Sequence, residues 1–152
     1  MIRLGIIGAG DVVRIRHLPI LAEFYSDSIK VVAISTRRQY ASDEVNSILD
    51  YSVPRYTDYR KVLDLDLDCV LVAVPMTITE SICIDSLSRS IATYSEKPMA
   101  QSYLGALRLR DLARSSKVPY LIGENFYFQR RFEIADRWIS DSGERVSGIT
   151  VR

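Results

Sequence analysis

The sequence predicts an α/β protein built on a doubly wound parallel sheet with helices on both faces. Three observations carry that reading. Apolar runs at 4–7, 29–34 and 69–74 lack the polar alternation of a half-wet strand, so they read as strands covered on both sides. Segments of helical periodicity separate them, and strand alternating with helix is the pattern of a parallel sheet. The first strand also runs through Gly8-Ala9-Gly10 directly into a helix pattern.

Each element has its own signal. After the strand at 4–7, a helix is expected over 11–24, with Pro19 marking a kink or break because it lacks an N–H. "IKVVAI" at 29–34 is the second strand, followed by a polar helix over 41–49. "VPRYTDY" at 53–59 holds a short third strand and a turn, then a brief helix over 59–65. "CVLVAV" at 69–74 is the most apolar strand, ended by Pro75. A helix over 77–90 places Ile78, Ile82 and Leu87 on one face. The strand at 92–95 leads into Glu96-Lys97-Pro98. A helix over 102–116 carries Leu104, Leu107, Leu109 and Leu112, and 119–123 is the sixth strand. The last helix, 131–142, is expected to turn Ala135 and Trp138 inward. After Gly143 the pattern changes: 146–151, "VSGITV", alternates as a strand with one wet face does. Residues 1–143 therefore read as one domain and 144–152 as the start of another.

Composition narrows the function classes. A chain of 152 residues can bury a real core. Its 20 Lys and Arg against 19 Asp and Glu leave a net charge of +1, which speaks for neither a nucleic-acid partner nor an acidic membrane. No apolar run approaches the ~18 residues a membrane span needs, and the amino terminus does not read as a signal peptide. Cys69 and Cys83 sit in apolar surroundings without metal-type spacing, as two inert thiols of a reduced, cytoplasmic protein would. "DLDLD" at 64–68 alternates three carboxylates, but a hard cation wants six to eight oxygens from a shaped loop, so a polar turn is expected and no metal. "FYFQRRF" mixes aromatics with arginine as single-strand binders do, yet the balanced charge favours a structural or substrate-side segment. Ser81, Ser86 and Ser88 have no histidine in a recognisable hydrolytic arrangement.

The glycine turn is the first candidate site. Gly8 allows the tight turn, Gly10 lets backbone approach a pyrophosphate, and the helix beginning near Asp11 offers free N–H groups and the positive end of its dipole. The order strand, glycine turn, helix is the Rossmann arrangement for a dinucleotide. Val13 stands where a third small residue is usual, and the helix is expected to stand off slightly from the sheet. The end of the second strand, Ile34-Ser35-Thr36-Arg37-Arg38, has no acid to hold a ribose 2′-hydroxyl. A hydroxyl donor beside a guanidinium suits a 2′-phosphate instead, so NADP is expected rather than NAD.

"GAGDVVRIRHLPIL", "YTDYRKVL", "VLVAVP", "SEKPMA" and "GENFYFQRRF", in that order, resemble the Gfo/Idh/MocA family of sugar oxidoreductases. The resemblance covers nearly the whole chain but only the amino-terminal half of the family's usual length. It implies that Gly8, Ala9, Gly10, Asp11 and Val12 form the pyrophosphate loop. It implies that Thr36, Arg37 and Arg38 hold the 2′-phosphate, and that Val74, Pro75 and Thr77 lie along the cofactor. Glu96 and Lys97 belong to the family's Glu-Lys-Pro, whose lysine reaches toward nicotinamide and substrate, and Asn125 lies near the nicotinamide end. Lys97 is thus the expected catalytic residue, since an ammonium beside a carbonyl can polarise it or relay its proton. Glu96 is expected to compensate the charge of Lys97. Where the family often has Pro-Asn-x-x-His, this chain has Pro75-Met76-Thr77-Ile78-Thr79. His17 is expected on the helix surface or at a hinge.

The resemblance implies an NADP(H)-dependent oxidoreductase moving hydride to or from a sugar-like alcohol or ketone. Substrate contacts, the acid–base residue and homo-oligomerisation would come from a carboxy-terminal α+β domain of which 144–152 is the start. The alternative is a free-standing NADP(H)-binding or sensing module without catalysis.

Overall fold

The structure, a computed structural model, describes residues 1–143, so the strand expected at 146–151 and the domain start at 144–152 lie outside the described residues. Six parallel strands form one sheet in the order β3-β2-β1-β4-β5-β6. They are β1 (Ile2–Ile7), β2 (Ile29–Ser35), β3 (Arg55–Tyr56), β4 (Cys69–Val72), β5 (Ala92–Ser95) and β6 (Tyr120–Ile122). The helices are α1 (Leu18–Phe24), α2 (Gln39–Leu49), α3 (Arg60–Leu63), α4 (Met76–Ser88), α5 (Tyr103–Ser116) and α6 (Arg130–Ser142). Two halves, each strand-helix-strand-helix-strand, therefore run outward in opposite directions from the β1/β4 pair, which is the doubly wound Rossmann sheet.

The side chains of β1 explain why both faces are covered. Leu4 and Ile6 enter a core with Val13, Leu18, Val31, Ile34, Ala41 and Val45, under α1 and α2. Ile7 enters the opposite core with Val62, Val70, Val72, Ile82, Leu87 and Leu109, under α3, α4 and α5. A strand whose alternate side chains are all buried must be apolar throughout. Tyr51 secures the sheet where β3 is too short to pair with the start of β2. Its hydroxyl accepts from Val31 N–H at 3.0 Å and donates to Val31 C=O at 3.3 Å.

The first helix departs from the expected form. Helical backbone begins at Asp11, but Val13–His17 is a π turn that runs straight into α1. The N–H of Leu18 donates to the carbonyl of Val13, five residues back. In a pure α-helix, side chains five apart lie about 140° from each other. The wider turn brings Val13 and Leu18 into the same core, both fully buried. Val13 is thus absorbed into the core, and Pro19, which lacks a donor, follows directly on the widened turn.

Two sequence expectations, for α4 and α6, fail for lack of a facing neighbour, and α5 turns one of its leucines outward. Ile78 is half exposed, while Thr79, Ile82, Cys83, Ser86 and Leu87 form the buried face of α4. Leu104 is exposed, and Leu109 is the one fully buried apolar side chain of α5. α6 buries nothing among the described residues: Ala135 and Trp138 both face outward, because no described element covers that helix. No helix among the described residues is long and apolar enough to cross a membrane.

"DLDLD" is a polar turn bound to arginines. Asp64 accepts from Arg89 at 2.7 Å, the carbonyl of Asp66 accepts from Arg3 Nε, and Asp68 accepts from the Arg3 amide.

Leu109→Ala is expected to cost about 2–5 kcal/mol, the range for emptying a fully buried leucine site. Leu104→Ala should fall within about 0.5 kcal/mol of the parent, and urea unfolding of both variants checks the contrast. Burial also pushes the Cys83 thiol up from 9.0 to about 11, partly opposed by hydrogen bonds from Tyr120 and Ser95. A raised acid contributes stability below its unfolded value and loses that contribution as pH climbs to its folded value. Stability should therefore fall between pH 9 and about 11, with a shallower slope in Cys83→Ser.

Candidate functional site

The parallel register aligns one row of residues across the sheet: Tyr56, Ser35, Ile7, Val72, Ser95 and Ile122. The residue after each leaves the sheet at its carboxyl edge. That edge therefore gathers Gly8, Thr36, Ala73, Glu96 and Gly123 from strands far apart in sequence. The β1/β4 pair is the point where strand order reverses, and a crevice opens there in such sheets.

Gly8 makes the crevice possible. Its φ is +95°, a conformation side chains rarely adopt, and a Cβ there would lie 2.1 Å from the carbonyl oxygen of Ala73. Its N–H donates to Ser35 C=O at 2.9 Å, and the Ala73 N–H donates to Ile7 C=O at 2.9 Å. The turn is thus tied to both neighbouring strands. Gly10 differs: a Cβ there would meet nothing within 4 Å. Arg14 N–H donates to Gly10 C=O at 3.1 Å, so the amides of Asp11, Val12 and Val13 precede the first intrahelical bond. Open space over Gly10, before unspent amides at the positive end of a helix, fits a pyrophosphate. Ala9 is buried beneath the turn, and Val12 is half exposed at its rim.

Arg14 is a site residue that sequence reasoning missed. Its guanidinium holds Asp11 through Nη2 and Glu44 of α2 through Nη1, and it lies 5.5 Å from the centre of the Tyr40 ring. Its Nε is buried without a hydrogen-bond partner among the described residues. Asp11, which follows the glycine turn, and Glu44 are therefore neutralised by one guanidinium from within the fold.

At the end of β2, Thr36 Oγ1 accepts from the Arg38 amide at 3.2 Å, and Thr36 C=O accepts from Arg55 Nη1 at 3.1 Å. The hydroxyl hydrogen of Thr36 remains available. Arg38 Nη1 donates to Tyr40 Oη at 2.9 Å. Arg37 is exposed and makes no ion pair or hydrogen bond among the described residues. Thr36, Arg37, Arg38 and Arg55 thus gather on one side of the crevice.

On the other side of β1, Val74 packs close to Gly8, with Cγ1 3.0 Å from where a Cβ would stand. Pro75 and Thr77 are exposed along the start of α4. Thr79, which stands where the family pattern has histidine, is buried and donates to the carbonyls of Val74 and Pro75 at 3.4 and 3.3 Å. It fastens the loop and offers nothing outward.

The Glu-Lys-Pro turn departs from expectation. Glu96 does not neutralise Lys97. It accepts a hydrogen bond of 2.8 Å from His17 Nε2, across 79 residues of sequence. The His17 ring stands edge-on to Tyr94, centroids 5.6 Å apart. His17 is therefore a tertiary contact, three-quarters buried, and not a helix-surface residue. Lys97 is exposed, makes no ion pair or hydrogen bond among the described residues, and precedes a cis bond to Pro98. Burial, with the Glu96 charge beside it, raises the Tyr94 phenol above its usual range. Asn125 opens a short 3₁₀ turn, Asn125–Phe128, beyond β6 and is exposed at the same edge as Lys97. Two shallow grooves lie at the far edge of the sheet, around Met1, Lys30 and Tyr51, and neither touches the glycine turn.

The arrangement matches known proteins. Residues 2–124 match the model of the GFO_IDH_MocA family, an oxidoreductase family with an NAD-binding Rossmann fold. An uncharacterised Saccharomyces cerevisiae protein, YMR315W, is 26% identical over 148 residues, covering 96% of this chain and 42% of its own length. A Gfo/Idh/MocA family oxidoreductase from Vibrio cholerae is 27% identical with a TM-score of 0.76, covering 90% of this chain and 44% of its own. KijD10, a 3-ketoreductase from Actinomadura kijaniata solved with NADP and TDP-benzene, is 25% identical with a TM-score of 0.78, covering 93% and 42%. The chain spans less than half the length of each.

The two glycines should respond oppositely to a methyl group. Gly8→Ala combines positive-φ strain with a backbone clash and should destabilise by more than about 2 kcal/mol. Gly10→Ala should leave thermal stability within a few degrees of the parent. Thermal unfolding followed by circular dichroism distinguishes the pair.

Proposed function

The chain belongs to the Gfo/Idh/MocA oxidoreductase family through its NAD-binding Rossmann fold, and on that premise we propose that it binds NADP(H) for hydride transfer to or from a sugar-like alcohol or ketone. The observation that carries the reading is the aligned row of strand ends. It brings the glycine turn, the acid-free end of β2 and the Glu-Lys-Pro turn to one crevice. Residues 1–143 would form the cofactor-binding domain, with substrate contacts and the acid–base residue contributed from elsewhere in a complete enzyme.

The chain's own groups divide the work. The backbone of Gly8, Ala9, Gly10, Asp11 and Val12 cradles the pyrophosphate, and the helix dipole favours its charge. Arg14 prevents Asp11 and Glu44 from opposing that anion. Thr36 donates its hydroxyl, and Arg37 and Arg38 supply guanidiniums that keep their charge, which together select a 2′-phosphate. Val74, Pro75 and Thr77 bound the cofactor on the β4 side, and Asn125 serves the nicotinamide end. When bound, the nicotinamide supplies or accepts the hydride. Lys97 faces the substrate oxygen, polarising it as a ketone or taking part in its proton transfer as an alcohol. The similar 3-ketoreductase was solved with NADP and TDP-benzene, which supports the phosphate preference and a ketone as substrate.

Titration with NADPH and NADH tests the reading. NADPH is expected to bind at least tenfold tighter, a gap of ~1.4 kcal/mol, and Arg37→Ala should erase most of that gap while leaving NADH unchanged. Equal affinity for the two nucleotides, or a preference that survives Arg37→Ala, would overturn the phosphate assignment. Gly10→Ala should weaken both nucleotides together.

A further inference from the structure

We propose that His17 is a positioning residue that withholds Glu96 from Lys97, keeping the lysine amine free at the crevice. The consequence for catalysis rests on the reading of Lys97 given above. Glu96 and Lys97 are neighbours on one turn, and an unrestrained carboxylate beside an ammonium forms an ion pair. Here the carboxylate is engaged elsewhere. Its Oε1 is 2.8 Å from His17 Nε2, and both side chains are about three-quarters buried. Lys97 is exposed and makes no such contact among the described residues.

The surroundings fix this pairing. The Tyr94 ring lies edge-on against His17 at 78°. A Cβ at Gly123 would lie 2.4 Å from Tyr94 Oη and 3.4 Å from Glu96 Oε1, so the absence of a side chain there makes room for both groups. The backbone is held on two sides: Glu96 N–H donates to Val72 C=O, and Gly123 N–H donates to Ser95 C=O. His17 is the last residue of the π turn that draws Val13 and Leu18 into the core together. A histidine on the helix after the glycine turn therefore sets the charge environment of a lysine 80 positions later, through Glu96.

Trace acylation of the whole chain at pH 8, read at each lysine by mass spectrometry, tests the pairing. Lys30, Lys61 and Lys117 are exposed and distant, and serve as internal standards. With His17→Ala, Glu96 turns onto Lys97, and its acylation should slow about threefold relative to the standards, since an opposite charge holds the proton on the amine. His17→Gln, which keeps a donor toward Glu96, should retain the parent rate. The double variant His17→Ala/Glu96→Gln has no carboxylate to capture the amine and should not slow. His17→Phe keeps a ring against Tyr94 without a donor, and should slow Lys97 even if His17→Ala does not fold. An unchanged Lys97 rate in the variants lacking a donor, equal slowing in the double variant, or all four lysines changing together would overturn the proposal. Shielding of Lys97 by NADPH in the parent chain judges the cofactor reading separately. If NADPH gives no shielding while His17→Ala still slows Lys97, the cofactor reading fails and the pairing stands.

Discussion

A side chain at position 8 would put its first carbon 2.1 Å from the carbonyl oxygen of Ala73. That approach lets β1 and β4 pair up to the point where the chain turns away from both, and it leaves a crevice between them. The positive φ of Gly8 aims the following helix so that its first amides face the crevice and its apolar side enters the core. The later strands align with the same edge because each pairs in parallel with the one before it. A residue lacking a side chain and the parallel register together set where five separate loops converge.

The second organising feature is the disposition of carboxylates. A crevice at the positive end of a helix is a poorer anion site with a free acid beside it, and three of the described acids near this one have partners. Asp11 and Glu44 are held by one guanidinium, and Glu96 is held by an imidazole. Among the described residues, Arg37 and Lys97 carry charge without an ion pair or hydrogen bond, and they follow strands on opposite sides of the β1/β4 pair. An elongated ligand with phosphate at one end and a reacting centre at the other suits that distribution of charge. The fold thus pairs these acids internally and leaves Arg37 and Lys97 facing outward.

Much of the fold was legible because burial on both faces leaves a strong trace. The runs in β1, β2 and β4 admit no polar residue inward, and a strand with two covered faces has no other composition open to it. The glycine turn was legible for a similar reason, since few residues tolerate its backbone. Helix faces were less legible. Ile78, Leu104 and Trp138 obey helical periodicity, yet periodicity says only that residues share a side, and whether that side is covered depends on a neighbour that local sequence does not specify. The π turn leaves no local signal because its cause is the shared burial of Val13 and Leu18 in one core.

The sequence by itself determined the alternation of strand and helix, the position of the turn and the absence of an acid at the end of β2. These are local properties of residue type and backbone. Only the tertiary structure decided the partners of the charged groups. Glu96 lies beside Lys97 in sequence, but it is bonded to His17 from a helix 79 residues earlier. Arg14 lies in a helix start that reads as surface, but it is enclosed by Asp11, Glu44 and Tyr40. Charge pairing follows distance in space, and adjacent strands of a parallel sheet bring together residues that the chain itself keeps far apart.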